Sequence, residues 1–214
     1  LSFSAMAQTE IAIYTNYGTI NLVLYDTKVP NTVSNFVNLV NQKFYDGVIF
    51  HRVIDNFMIQ GGDGNPSPPA IVDEFDVSLS NTVGTISMAN SGPNTGTCQF
   101  FINLVNNTYL DFNKAPLSSK HPVFGTTING FNIVENIGAV QTDGNDAPLV
   151  AVVMDSVRVV SQVLAVTDKD AVTDNRRLVK IINVLGYESQ VTTSKPLFYI
   201  YDDGSIEKKI NLPY

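Results

Sequence analysis

The chain has 214 residues, 44% of them hydrophobic, with no tryptophan, one cysteine and a net charge of -7 at neutral pH. That length buries the core of one domain plus an appendage, and without a long apolar run no membrane span is expected. The acidic balance and the scatter of the 13 basic residues argue against nucleic acid as a partner, while the lone Cys98 excludes an intrachain disulfide framework and a multi-cysteine zinc site.

The first residues, LSFSAMAQ, carry Ala5-Met6-Ala7 ahead of Gln8, the A-x-A form of a signal-peptidase site. They read as the tail of a secretory signal ending at Ala7, which implies a periplasmic or secreted protein; a cloning scar or disordered leader is the alternative reading. Either way, residues 1 to 8 are expected to stand outside the fold. From Glu10 the pattern turns to β. IAIYTNYGTINLVLYD alternates on both sides of Asn16-Tyr17-Gly18, a hairpin with its turn at the glycine. Pro30 opens PNTVSNFVNLVNQKF, where Val33, Phe36, Val37 and Val40 recur at helical spacing. The apolar runs at 47 to 60, 82 to 89 and 99 to 105 and the alternation VAVVMDSVRVV at 150 to 160 supply further strands, with GFNIVENIGAV at 130 to 140 a second, short helix. Many strands with only two helices predict a mainly β fold, a closed antiparallel barrel whose ends the helices cover. Residues 161 to 175, SQVLAVTDKDAVTDN, are polar and read as a linker. RRLVKIINVLGYES and KPLFYIYDDGSIEKKI then make a small β-rich C-terminal extension over 176 to 214, with a turn at Asp202-Asp203-Gly204.

One stretch sits badly in a core strand. FHRVIDNFMIQGGD, residues 50 to 63, joins Phe50, Val53, Ile54, Phe57, Met58 and Ile59 to Arg52 and Gln60, which are costly to bury without partners. The two polar side chains either point into solvent or line a cavity that needs them. The glycine-rich GGDG and SGPNTG are turns rather than phosphate cradles, since neither opens a helix after a strand.

FYDGVIFHRVIDNFMIQGGD (44 to 63), GTISMANSGPNTGTCQFFINL (84 to 104) and HPVFG (121 to 125) occur in that order, and from about Glu10 to Val160 the chain resembles a cyclophilin. The resemblance implies an eight-stranded barrel capped by two helices over 9 to 160, a monomer that isomerises peptidyl-prolyl bonds without metal or organic cofactor. Its partners would be proline-containing peptides and unfolded protein chains. Matched to the family motifs, Arg52, Gln60 and Phe101 would be catalytic, and Phe57, Met58, Ala89, Asn90, Gln99, Tyr109, Leu110 and His121 would bind substrate. The spacing of YLD at 109 to 111 resembles bacterial members more than animal ones. Beyond Val160 the tail resembles the C-terminal sorting modules of type IX secreted proteins, with their VLG strand and YDDG-type turn; an extension that packs on the barrel or pairs with a partner fits the same residues.

The resemblance gives each residue type a task. Rotation about an X-Pro bond is slow because twisting breaks amide resonance, a barrier of about 18–20 kcal/mol. Once twisted, the proline nitrogen regains a localised lone pair that can accept a hydrogen bond, and a guanidinium aimed there binds the transition state better than the substrate. That role falls to Arg52. Gln60 would orient its guanidinium, Phe57, Met58, Phe101 and Leu110 would grip the proline ring, and Asn90 with Gln99 would hold the substrate backbone. His121 is read as a wall residue making one hydrogen bond, and His51 as structural. Taken alone, Arg52 would read as a barrel-rim arginine paired with Asp55 or Asp63. The alternative to an enzyme is a binding module, the same groove holding a proline motif as a scaffold or chaperone with negligible turnover; Arg52 together with the full pocket favours the enzyme. Cys98 is a small strand residue rather than a thiol nucleophile. Tyr109 stands where animal members carry tryptophan, and the loop from Asp111 to His121 is longer than theirs, so weak cyclosporin binding is expected.

Overall fold

The computed structural model describes residues 8–114, 120–163, 178–183, 187–189, 196–202 and 204–210. Residues 1–7 of the expected leader, the middle of the loop after Asp111 and most of the expected linker lie outside them. The chain divides into two compact units, 1–166 and 167–214.

In the first unit, β1 (Gln8–Thr15) and β2 (Gly18–Leu24) pair as the expected hairpin. Thr15 Oγ1 closes the turn by accepting from the Tyr17 N–H at 3.1 Å and donating to the Gly18 carbonyl at 2.7 Å. Helix α1 (Pro30–Asn41) begins on its proline, whose missing N–H belongs to the unpaired first turn. Glu74, from a distant loop, accepts from the Thr32 N–H at 2.6 Å where no local cap exists. The helix buries Val33, Phe36, Val37 and Val40 as the spacing predicts, and ends earlier than the pattern does, with Lys43 in the left-handed region at φ 58°.

The apolar run at 47 to 60 folds into two strands, β3 (Ile49–Ile54) and β4 (Met58–Gly61), which double back at Asn56 with φ 55°. Asparagine tolerates that conformation better than most side chains. There follow β5 (Thr85–Met88), β6 (Phe100–Asn103), a 3-10 turn at Thr108–Leu110, β7 (Val123–Asn129), α2 (Phe131–Gly138) and β8 (Val152–Val163). Strand β7 has little alternation to announce it. Gly125 sits in it because a β-carbon there would lie 2.6 Å from the Val23 carbonyl oxygen of the neighbouring strand.

The order β1-β2-β7-β5-β6-β4-β3-β8 closes on itself into the eight-stranded barrel. The seam between β1 and β8 corrects both expected domain ends. Gln8 pairs with Val163 and Glu10 with Ser161, so Gln8 belongs to the fold and the last strand runs past Val160. Each segment's partner lies at the other end of the domain, and SQV at 161 to 163 is too polar to be read as a strand by itself. The barrel is filled by Ile11, Ile13, Ile20, Leu22, Phe50, Phe100 and Phe124, closed off by Phe36 of α1 and by Tyr45.

The second unit holds β9 (Leu178–Asn183), β10 (Pro196–Tyr201) and β11 (Ile206–Ile210), an antiparallel sheet in the order β11-β10-β9. Its last two strands join at the expected turn, where Gly204 takes φ 82° and the Tyr201 N–H donates to the Ser205 carbonyl at 3.0 Å. Among the described residues no helix is long and apolar enough to cross a membrane.

Candidate active site

The site is made by the outward face of three adjacent strands. On β4 and β6, Met58 pairs with Asn103 and Gln60 with Phe101, while Ile59, Gly61, Phe100 and Ile102 take the opposite, inward positions. Simple alternation along β3 would send Arg52 inward with Phe50. The register shifts between Phe50 and Arg52, leaving His51 as the extra residue, so Arg52 comes opposite Gln60 on the outward face and Val53 returns to the core. An extra residue in one strand is the ordinary way to re-aim a side chain at a sheet edge or site.

Nine of the eleven sequence-predicted residues line one cleft of about 290 Å³: Arg52, Phe57, Met58, Gln60, Ala89, Asn90, Phe101, Leu110 and His121. Met58, Phe101 and Leu110 form a buried apolar floor, separate from the barrel core, against which Ile54, Phe57 and Ala89 pack. The other two predicted residues stand beside the cleft. Gln99 accepts a hydrogen bond through Oε1 from Gln60 Nε2 at 3.0 Å. Tyr109 is 54% exposed and lies nearly parallel to Phe57, with ring centroids 6.4 Å apart.

The floor is propped from behind by a buried polar web. Asn107 Nδ2 donates to the Phe57 carbonyl at 2.9 Å and to Asn103 Oδ1 at 2.8 Å, and Asn103 Nδ2 donates to Thr85 Oγ1 at 3.0 Å. Asp111 accepts from the Asn81 N–H and side chain, while the buried Lys120 donates from Nζ to the Asp111 carbonyl at 2.7 Å. The Lys120 carbonyl in turn accepts from Asn90 Nδ2 at 2.7 Å. None of Asn81, Asn103, Asn107 and Lys120 was singled out from sequence. An asparagine or lysine carries no sign of burial until its partners are known, and these come from four separate segments.

His121 places Nδ1 3.0 Å from the Met88 carbonyl oxygen and sets its ring edge-on to Phe101, centroids 5.4 Å apart. A carbonyl only accepts, so Nδ1 carries the proton and Nε2 its lone pair. Burial pushes its pKa below the usual histidine value, against the opposing pull of the Met88 hydrogen bond and of Asp73, so the ring is neutral near pH 7. His51 is also lowered by burial, with Asp63 opposing and Arg52 assisting, and its buried Nδ1 has no partner among the described residues.

One expectation about the site is corrected. Gln60 bonds Gln99, and the side chain that holds Arg52 is Asp146, whose Oδ2 accepts from Arg52 Nε at 3.2 Å. Asp146 belongs to the loop between α2 and β8, far from Arg52 in sequence, where nothing marked it; the pairings with Asp55 or Asp63 are not formed. Cys98 is buried in the barrel core, its carbonyl accepting from Tyr45 Oη at 2.9 Å, out of reach of a nucleophile's role. Among the described residues no cluster of His, Cys, Asp and Glu could hold a metal ion.

Residues 10–159 match the family model described as cyclophilin type peptidyl-prolyl cis-trans isomerase/CLD. A peptidyl-prolyl cis-trans isomerase-like 1 of Gibberella zeae is 39% identical over 163 residues, covering 72% of this chain and 96% of its own. A peptidyl-prolyl cis-trans isomerase of Acinetobacter baylyi is 42% identical over 149 residues, covering 66% and 78%. Among solved structures, a cyclophilin-type isomerase of Cryptosporidium parvum, determined in the presence of the dipeptide Ala-Pro, superposes with a TM-score of 0.64 at 27% identity, covering 71% of this chain and 99% of that one.

Proposed function

The chain belongs to the cyclophilin-type peptidyl-prolyl cis-trans isomerases and accelerates rotation of X-Pro bonds in protein chains, and from that premise we propose how its own residues divide the work. Arg52 is the donor that meets the proline nitrogen as the amide twists. Met58, Phe101 and Leu110, with Phe57 at the edge, hold the proline ring while the carbonyl before it swings. Asn90 and Gln99, both fixed by hydrogen bonds of their own, present polar groups to the substrate backbone.

The single observation that carries this reading is the aim of Arg52. The register shift at His51 turns it onto the same face as the apolar floor, and its partner Asp146 engages Nε. A guanidinium beside an apolar pocket interacts more strongly than in water, because the pocket excludes solvent when a proline ring fills it. A thousandfold acceleration needs about 4 kcal/mol. One charge-assisted hydrogen bond of about 1.5–3 kcal/mol, together with desolvation, supplies that.

No covalent intermediate and no proton transfer enters this scheme. His121, neutral and tied through Nδ1 to Met88, serves as a wall and a lone-pair acceptor. Cyclosporin is bound weakly, since Tyr109 on the rim offers a smaller ring than an indole and a polar group in a different place. A protease-coupled assay on a short X-Pro peptide tests the scheme: the unmodified protein turns the peptide over, and Arg52→Ala lowers kcat/KM by about 10²–10³-fold. Peptide binding without turnover by the unmodified protein would instead make the cleft a proline-binding scaffold.

A further inference from the structure

We propose that Asp146 is the positioning residue of this active site, fixing the Arg52 guanidinium so that its two terminal amino groups remain free for the substrate. The proposal rests on the reading of Arg52 as the transition-state donor.

Two arginine–aspartate pairs in the barrel differ in the atoms they use. Arg158 gives both terminal groups to Asp46, Nη1 to Oδ1 and Nη2 to Oδ2, each at 2.7 Å, a two-pronged clasp in which Nη1 also donates to the Val157 carbonyl at 2.7 Å. Arg52 meets Asp146 by Nε alone, at 3.2 Å to Oδ2. The first arrangement ties β8 to the segment after α1. The second consumes the one donor nearest the stem, fixes the plane of the guanidinium, and leaves Nη1 and Nη2 without partners among the described residues.

The loop that carries Asp146 is built to hold it there. Asp143 Oδ1 accepts from the Asn145 N–H at 2.8 Å and the Ala147 N–H at 3.0 Å, while the Asp143 N–H donates to the Ala147 carbonyl at 2.9 Å. Within this tight turn Asp146 takes φ 65° and donates its N–H to the Asp143 carbonyl. Its own carbonyl accepts from the Val53 N–H at 2.8 Å, on the residue next to Arg52. Main chain and side chain of Asp146 therefore grip adjacent residues of β3, and the register shift at His51 sits beside that grip. A pair with 44% and 41% of its side chains exposed contributes little to folding, because water screens it. Orientation of a long, flexible side chain is the larger effect available to it.

Asp146→Asn removes the charge and keeps the size, and asparagine is at ease at positive φ, so the loop and its main-chain bond to Val53 persist. With a short X-Pro peptide, the variant is expected to lose about 3- to 10-fold in kcat/KM, through kcat rather than KM, with an unchanged thermal midpoint. The same substitution in an Arg52→Ala background is expected to cost nothing further, since there is no guanidinium left to aim. An equal loss in both backgrounds, or no loss in the first, overturns the positioning role. If Arg52→Ala itself turns over like the unmodified protein, the reading of Arg52 falls first and this one with it; a large Arg52→Ala loss with an inert Asp146→Asn sinks this one alone.

Discussion

Phe100 and Phe101 are neighbours on β6, yet they belong to different structures. Phe100 lies in the barrel core, edge-on to Phe36, Tyr45 and Phe50 at centroid distances of 5.5, 5.6 and 6.0 Å. Phe101 joins Met58 and Leu110 in the small cluster under the cleft and touches His121. Both are buried, Phe100 at 0% and Phe101 at 4% exposure, so exposure alone does not tell them apart. The difference lies in what surrounds each: one is packed into the closed barrel core, the other floors a cleft open to substrate. A strand's two-residue period thus separates folding from function within a single step of chain.

That contrast predicts unequal costs. Phe100→Ala leaves a void that the closed barrel has little freedom to collapse, and is expected to cost about 3–5 kcal/mol, a large share of a typical domain's stability. Phe101→Ala opens space that already borders water and is expected to destabilise by less than half as much while lowering kcat/KM by at least tenfold. Urea melts of both variants, with assays on the folded protein, check this. Equal destabilisation would merge the two clusters into one core.

A second contrast sets the floor of the cleft against its rim. Tyr109, exposed and stacked on Phe57, is expected to govern a large ligand that overhangs the pocket and to matter little to a prolyl peptide seated in it. Tyr109→Trp adds an indole face and an N–H, and is expected to tighten cyclosporin by about 1–3 kcal/mol, or roughly 5- to 150-fold, with kcat/KM nearly unchanged. Calorimetric titration of both forms decides the point. Nanomolar binding by the unmodified protein, or no gain in the variant, would assign drug recognition to the loop after Asp111.

The smallest effect concerns pH. Burial lowers the pKa of both His51 and His121 in the folded state below the ordinary value of 6.5. Above 6.5 both states are neutral at these positions and the full stability is present. As pH falls from 6.5 toward the folded values, the unfolded chain takes up protons that the folded one refuses, and stability declines. NMR titration of the two rings is expected to give midpoints below 6.5; midpoints at or above it would mean that the wall of the cleft is wetter than the buried ring implies.

Legibility followed sequence distance. The β1–β2 hairpin and α1 lie in contiguous segments whose spacing and composition carry their own signs, whereas the cleft residues Met58, Phe101 and Leu110 are spread along the chain and are named only by the family blocks they match. The split of the 47 to 60 run at Asn56 leaves no mark in the sequence, because an apolar run shows no period to break. Strand β7 carries no clear alternation, because Gly125 interrupts its pattern where the Val23 carbonyl of another strand comes close. The β1–β8 seam joins opposite ends of the domain, and the Arg52–Asp146 pair joins residues 94 positions apart. Asp146 reads locally as one more polar turn residue, and only the closed barrel brings it to β3.

Central to the account is that Arg52 acts on the twisted amide rather than on the bound substrate, and exchange NMR on a labelled X-Pro peptide measures both quantities in one sample. For Arg52→Ala the account predicts that cis/trans exchange on the protein slows by about 10²–10³-fold while the peptide dissociation constant changes by less than about threefold. Equal losses in affinity and exchange, or exchange as fast as in the unmodified protein, would contradict it.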